Sequence, residues 1–324
     1  GGGTVHMACR SKKRAIKARD ILLEETGVPE SRCHVHIVDL SSIKQVKAFA
    51  RSFNKGIFGA RLDGLVNNAG CMLHKFEKNN EGNELNFATN TMGTFVLTQE
   101  LLPSLQSPVG TDNDPSRVVV VSSGGAYSQK LDPINVQTEK GFNDGTYVYA
   151  QNKRQQIALV EIWARESISG LLGFNKEEGK SKPESKPEAK PKAKAEPEKR
   201  NVWFQSMHPG WADTPAVRKA MPDFHRQMQG RWRSEEEGAD TIVWLTTSTQ
   251  ALKHQQGQFF LDRTPQRKFL WGTWTTHTQD DADRLYKVCT NISNGVEPVQ
   301  DNLTAFDYMQ SNASYEKYMA SLET

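Results

Sequence analysis

The chain has 324 residues, with 41 Lys+Arg against 38 Asp+Glu and a formal net charge of +3. That excess is too small for a nucleic-acid surface or a polybasic membrane patch, and no apolar run is long enough to predict a transmembrane segment. Cys9, Cys33, Cys71 and Cys289 lie far apart with no Cys-x-x-Cys pair, which speaks against a disulfide scaffold or structural zinc and favours a cytosolic or other reducing compartment.

In chain order, strand-like runs fall at 4–9, 33–40, 62–70, 117–123, 202–210 and 257–263. Helix-like stretches lie between them. The stretch 11–26 stops at Gly27 and Pro29, a helix-ending pair. The stretch 42–53 follows the capping Ser41-Ser42, and longer ones span 80–105 and 146–167. The stretch 234–247 opens with Ser234 three residues ahead of Glu237, a capping box. Short apolar strands alternating with such helices predict an α/β class, a Rossmann-like doubly wound parallel sheet with ligands at the carboxyl ends of its strands.

The segment 176–200 differs in kind. It holds nine Lys/Arg and six Glu, which is the whole charge excess, plus four of the fourteen prolines and no large apolar residue. Such a composition predicts a disordered insert. The expected organisation is one domain formed by 1–175 and 201–290, the insert 176–200, and a C-terminal tail 291–324. A further helix is expected near 279–292.

Tyr149 and Lys153 are spaced i, i+4, so a helix puts them on one face. An ammonium beside a phenol favours phenolate, a route to an acid/base that works near neutral pH. Other polar groups fall at predicted carboxyl strand ends: Asn67-Asn68-Ala69-Gly70, Ser122-Ser123 and Pro209-Gly210. Asn90 sits inside a predicted helix, where asparagine is a poor helix former. His34 and His36 share one strand face, yet no third ligand is evident, and no metal site is expected.

These stretches, LVNNAGCM, VVVVSSGGAY, DGTYVYAQNKRQQ and SMHPGWADTP, resemble the short-chain dehydrogenase/reductase superfamily, near its retinol-dehydrogenase-like branch, from residue 4 to about 263. The resemblance implies that Tyr149 is the acid/base and that Lys153 tunes it and holds the nicotinamide ribose. It implies that Ser123 orients the substrate oxygen and Asn90 holds a relay water. Asn67, Ala69 and Gly70 would line the cofactor cleft, Asp39 would meet the adenine, and Pro209, Gly210 and Thr214 the nicotinamide and phosphates. Trp211 and Met221 fall at the family's substrate lid and suggest an apolar small-molecule substrate.

Cofactor choice turns on charge after the strand 4–9, where a basic side chain accommodates the 2′-phosphate of NADP and an acidic one the 2′-hydroxyl of NAD. The run Cys9-Arg10-Ser11-Lys12-Lys13 therefore predicts NADP(H), with Arg10 the leading phosphate partner.

The resemblance also places a first strand and a Gly-rich phosphate loop ahead of residue 4. Gly1-Gly2-Gly3 is not that loop, because no strand precedes it and no helix follows it. In the implied strand order 3-2-1-4-5-6-7, the strands 4–9 and 62–70 would each lack a neighbour on one side. Four or five buried side chains lost there would cost roughly 6–15 kcal/mol, comparable to a whole domain's stability, so the expectation is a piece of a longer gene product, with cofactor binding conditional on what precedes it. The predicted activity is interconversion of an apolar alcohol and carbonyl compound by an NADP(H)-dependent oxidoreductase. The alternative is a non-catalytic relative serving as a structural subunit; a homo-oligomer or a larger assembly fits either.

Overall fold

The computed structural model describes residues 2–57, 61–107, 114–142, 144–172, 199–270, 272 and 274–296. The chain divides into a unit Gly1–Lys287 and a second, Val288–Thr324, of which residues 288–296 are described. The predicted insert, up to residue 198, and the tail beyond residue 296 lie outside the described residues.

All six expected strands form: β1 Val5–Cys9, β2 Cys33–Ile37, β3 Gly64–Asn67, β4 Ser116–Val121, β5 Val202–Met207 and β6 Phe259–Leu261. A seventh, β7 Thr264–Gln266, pairs antiparallel with β6. β1 and β2 make a parallel two-stranded sheet, and β3-β4-β5-β6-β7 make a second sheet. Among the described residues no strand pairing joins the two sheets. β4 and β5 are buried at every residue, the pattern of parallel strands covered on both faces.

The helices are α1 Lys12–Thr26, α2 Ile43–Ser52, α3 Leu85–Phe87, α4 Gly93–Leu105, α5 Gly145–Ile168, α6 Pro215–Ala220, α7 Pro222–Gln227, α8 Glu235–Thr247 and α9 Gln279–Ser293. α1 ends on Gly27 in the left-handed region, and α8 begins with both halves of the Ser234/Glu237 capping box, as expected. α8 lies against β3 and β4, and α5 against β5. Alternate residues sort to the two faces: Val119, Val121 and Phe260 join Leu245 of α8, while Phe204 meets Trp163 of α5 with ring centroids 5.8 Å apart.

Two expectations need correction, on the stretch 80–105 and on Arg200, and the lid region gains detail. The stretch 80–105 is not one helix: α3 and α4 are joined by a π turn, Ala88–Met92. The lid region holds two short helices, α6 and α7, each opened by a proline in its first turn, where proline's fixed φ fits. Arg200, placed at the end of the insert, belongs to the fold. Its side chain is 7% exposed, Nη1 lies 2.8 Å from Asp63 Oδ1, and Nε donates to the Asp114 carbonyl at 2.6 Å.

His34 and His36 both face His6 of β1: His6 Nδ1 lies 2.9 Å from His36 Nε2 and its ring stacks on His34. Burial and the two neighbouring rings hold His6 down to about 4. Among the described residues, no group of three His, Cys, Asp or Glu suits a metal ion, and no helix is long and apolar enough to cross a membrane.

Candidate active site

The site is assembled on the loop that follows β3. Two asparagines four residues apart grip it. Asn90 Oδ1 accepts the Cys71 N–H at 2.8 Å and its Nδ2 donates to the Cys71 carbonyl at 2.8 Å. Asn86 does the same for Leu73, accepting its N–H at 2.7 Å and donating to its carbonyl at 3.1 Å. The i, i+4 spacing of the two side chains matches the i, i+2 spacing of their targets on the loop. The π turn carries Asn90 at its centre, a geometry that recurs at functional sites. Glu84, buried beneath, caps α3 by accepting the Asn86 and Phe87 N–H groups.

α5 brings Tyr149 and Lys153 to this loop. It starts hard against the Leu73 carbonyl, so close that a Cβ on Gly145 would clash there. The whole run Gln151–Gln156, polar at every residue, is buried. Burial of polar groups is tolerated only where they are paired, and the cationic members are. Arg154 donates to the carbonyls of Ala126, Gln129 and Lys268. Lys153 Nζ donates to the Val121 carbonyl at 2.7 Å and to Gln156 Oε1 at 3.0 Å.

Lys153 Nζ stands 5.3 Å from the centre of the Tyr149 ring. The expected drop in the phenol's proton affinity is not what the protein alone shows. Burial pushes Tyr149 up to about 12, opposed by a hydrogen bond with the Ser123 side chain. Burial also pulls Lys153 down to about 8. For both groups desolvation is the dominant cause. At neutral pH the pair is phenol plus ammonium.

Of the residues singled out from sequence, the structure brings Gly70, Asn90, Ser123, Tyr149 and Lys153 together. A Cβ on Gly70 would lie 3.2 Å from Asn90 Oδ1 and 3.6 Å from Lys153 Nζ. Asn67 is buried below, its Nδ2 donating to Thr98 at 3.0 Å while Oδ1 has no partner. Ala69 and Gly70 are exposed. Pro209 and Gly210 follow β5, beside the loop after β4: a Cβ on Gly124 would touch the His208 ring at 3.6 Å. Arg10 is exposed at the end of β1, and its charge acts on the Cys71 thiol, as that of Lys153 does. Asp39 and Thr214 make local bonds. Asp39 Oδ1 accepts the N–H and hydroxyl of Ser41, and Thr214 caps α6 through the Val217 N–H at 3.3 Å.

The segment 211–232, which holds α6 and α7, carries an aromatic cluster. Trp211 meets Phe224 with centroids 4.7 Å apart, and Trp232 closes on both. His74 Nε2, on the loop after β3, lies 2.7 Å from the Ala220 carbonyl. Met221 joins α6 to α7. Asn86, Asn152, Arg154 and Gln156 escaped the sequence reading. For the last three the available signal was an unbroken polar run, 151–156, in the middle of a helix too long to be exposed throughout.

Comparison with known proteins gives the family and the fold. Residues 2–131 match the family model for short chain dehydrogenase. Over 90% of its length the chain is 42% identical to human dehydrogenase/reductase SDR family member 12, covering 79% of that protein. The chain belongs to the short-chain dehydrogenase/reductase family. Human retinol dehydrogenase 11 is 33% identical over 51% of this chain and 48% of its own. The same Rossmann-like α/β fold is found in the Pseudomonas aeruginosa RhlG/NADP complex, with a TM-score of 0.53 and 21% identity over 80% of this chain and 84% of that one. As a family member, the chain has the fold of an oxidoreductase acting on small molecules.

Proposed function

We propose that this chain is an NADP(H)-dependent oxidoreductase that interconverts an apolar alcohol and its carbonyl compound. The observation that carries the reading is the convergence of Ser123, Tyr149 and Lys153 beside the Gly70 loop, at the carboxyl ends of β3 and β4. The residues present fit a nicotinamide cofactor. Asn67 Oδ1 is a buried acceptor with no partner, and Gly70 keeps open a space next to the Lys153 ammonium that a side chain would fill.

In this reading Lys153 and Tyr149 hold the nicotinamide ribose, and Asn67, Ala69 and Gly70 line the cleft. Pro209, Gly210 and Thr214 border the nicotinamide and phosphates. Asp39 meets the adenine, and Arg10 takes the 2′-phosphate. NADP(H), when bound, supplies or accepts the hydride. The Ser123 hydroxyl orients the substrate oxygen, and Tyr149 exchanges a proton with that oxygen. A phenol held up at about 12 keeps its proton at neutral pH, which suits donation to a carbonyl oxygen, the direction of reduction. The exposed Trp211 and its partners Phe224 and Trp232 supply an apolar wall, in keeping with a relative named for retinol.

Titrating the chain with NADPH and NADH, read by nicotinamide fluorescence, tests the cofactor assignment. NADPH is expected to bind more tightly, and Arg10→Ala to erase the difference. Equal affinity in the wild type, or no saturable binding, contradicts it.

A further inference from the structure

The Lys153 ammonium is tied to the Asn90 backbone through one side chain. Gln156, one turn further along α5, accepts from Lys153 Nζ on Oε1 at 3.0 Å. Its Nε2 donates to the Asn90 main-chain oxygen at 2.6 Å and lies 3.3 Å from Thr94 Oγ1. The Asn90 oxygen also accepts the Thr94 hydroxyl at 2.9 Å. Gln156 is fully buried. An ammonium only donates and a carbonyl only accepts, so one orientation of the amide alone satisfies both ends.

We propose that Gln156 is a positioning residue of the Tyr149/Lys153 pair, an amide bridge that fixes the Lys153 ammonium against the Asn90 carbonyl. It rests on the reading of Tyr149 and Lys153 as the reacting pair. The amide is fixed in direction by these two bonds, one at each end. The glutamine thus holds the ammonium below the Tyr149 ring by a bond that favours its charged form.

The groups acting on Lys153 besides its own burial are Cys71, from the loop after β3, and Tyr149, on α5. β4 offers it the Val121 carbonyl, and the π turn presents Asn90, which carries no charge.

The test follows the titration of Lys153 by NMR in the full chain carrying isotope-labelled lysine, assigned with Lys153→Met. Gln156→Met keeps the length and removes the amide, and Lys153 is expected to lose its proton about one pH unit lower than in the wild type. Gln156→Glu puts a carboxylate beside the ammonium and is expected to move the titration upward. An unchanged Lys153 titration in Gln156→Met overturns the proposal. Should that variant fail to fold, the absence of an upward move in Gln156→Glu overturns it equally. Turnover is the second readout: kcat of Gln156→Met falls about tenfold, a barrier change of about 1.4 kcal/mol, with KM for NADPH little altered. If the wild type binds no NADPH, the functional reading fails while the Lys153 titration still decides the role of Gln156.

Discussion

Arg233 lies where a side chain on residue 210 would have to go. A Cβ on Gly210 would come within 2.6 Å of the Arg233 Nε, and the guanidinium cannot swing aside freely because both Nη atoms bind the Asp262 carboxylate, at 2.5 and 2.8 Å. Gly210 also has φ +73, where a side chain is strained. This glycine lets the loop after β5 turn under the Arg233–Asp262 pair. Gly210→Ala is expected to cost about 1–3 kcal/mol of stability, read from the urea unfolding midpoint, with Asp262→Ala restoring part of it by freeing Arg233.

Asn90 is predicted to matter for stability as well as for the site. Asn90→Ala leaves the Cys71 N–H and carbonyl without their partners and is expected to destabilise by about 1–3 kcal/mol. Asn90→Asp keeps the acceptor for the Cys71 N–H but sets a carboxylate against the Cys71 carbonyl, so it should not rescue. Urea unfolding of the two variants checks this; stability at the wild-type level in Asn90→Asp would contradict the double grip on the loop.

Arg154→Lys is expected to destabilise by about 2–3 kcal/mol. A lysine keeps the charge but cannot reach the three carbonyls that the guanidinium fork spans, because its donors sit on a single atom. Thermal unfolding at neutral pH is the measurement.

The pH dependence of stability has a defined sign at Lys153. Burial lowers it from 10.5 to about 8 in the folded protein, whereas the unfolded lysine keeps its proton up to about pH 10. In that window the unfolded chain binds the extra proton, so the contribution of Lys153 to stability rises with pH, by up to about 1.4 kcal/mol per pH unit. Cys71, pushed up by burial, acts in the opposite sense. The difference between wild type and Lys153→Met, measured by urea unfolding from pH 7 to pH 10, isolates the contribution of the lysine. A difference that does not change with pH would contradict its burial as a charge.

Much of the fold was legible because the central strands are covered on both faces. RVVVV and VWFQSM read as strands in isolation, and helices between them force parallel pairing. The Tyr149/Lys153 pair and Asn90 were legible through spacing and through a residue that sits badly in a helix. Two kinds of feature were not. β7 is three residues long and carries too little periodicity to register. The run 151–156 has the composition of a solvent-facing surface, yet it is buried because main-chain carbonyls and other amides meet its polar groups, and pairing partners distant in the chain leave no trace in local hydropathy. α6 did leave a signal, Thr214 followed by Pro215, a cap with proline at the first helical position.

The most direct test of the account is the rate of NADPH oxidation by wild type and Tyr149→Phe against a panel of apolar aldehydes and ketones, with NADPH binding measured alongside. The expected result is turnover by the wild type, a loss of at least about a hundredfold in Tyr149→Phe, and saturable NADPH binding retained in the variant through Lys153. Tyr149→Phe that turns over at the wild-type rate would remove Tyr149 from its role as the proton donor and contradict the site proposed for this chain.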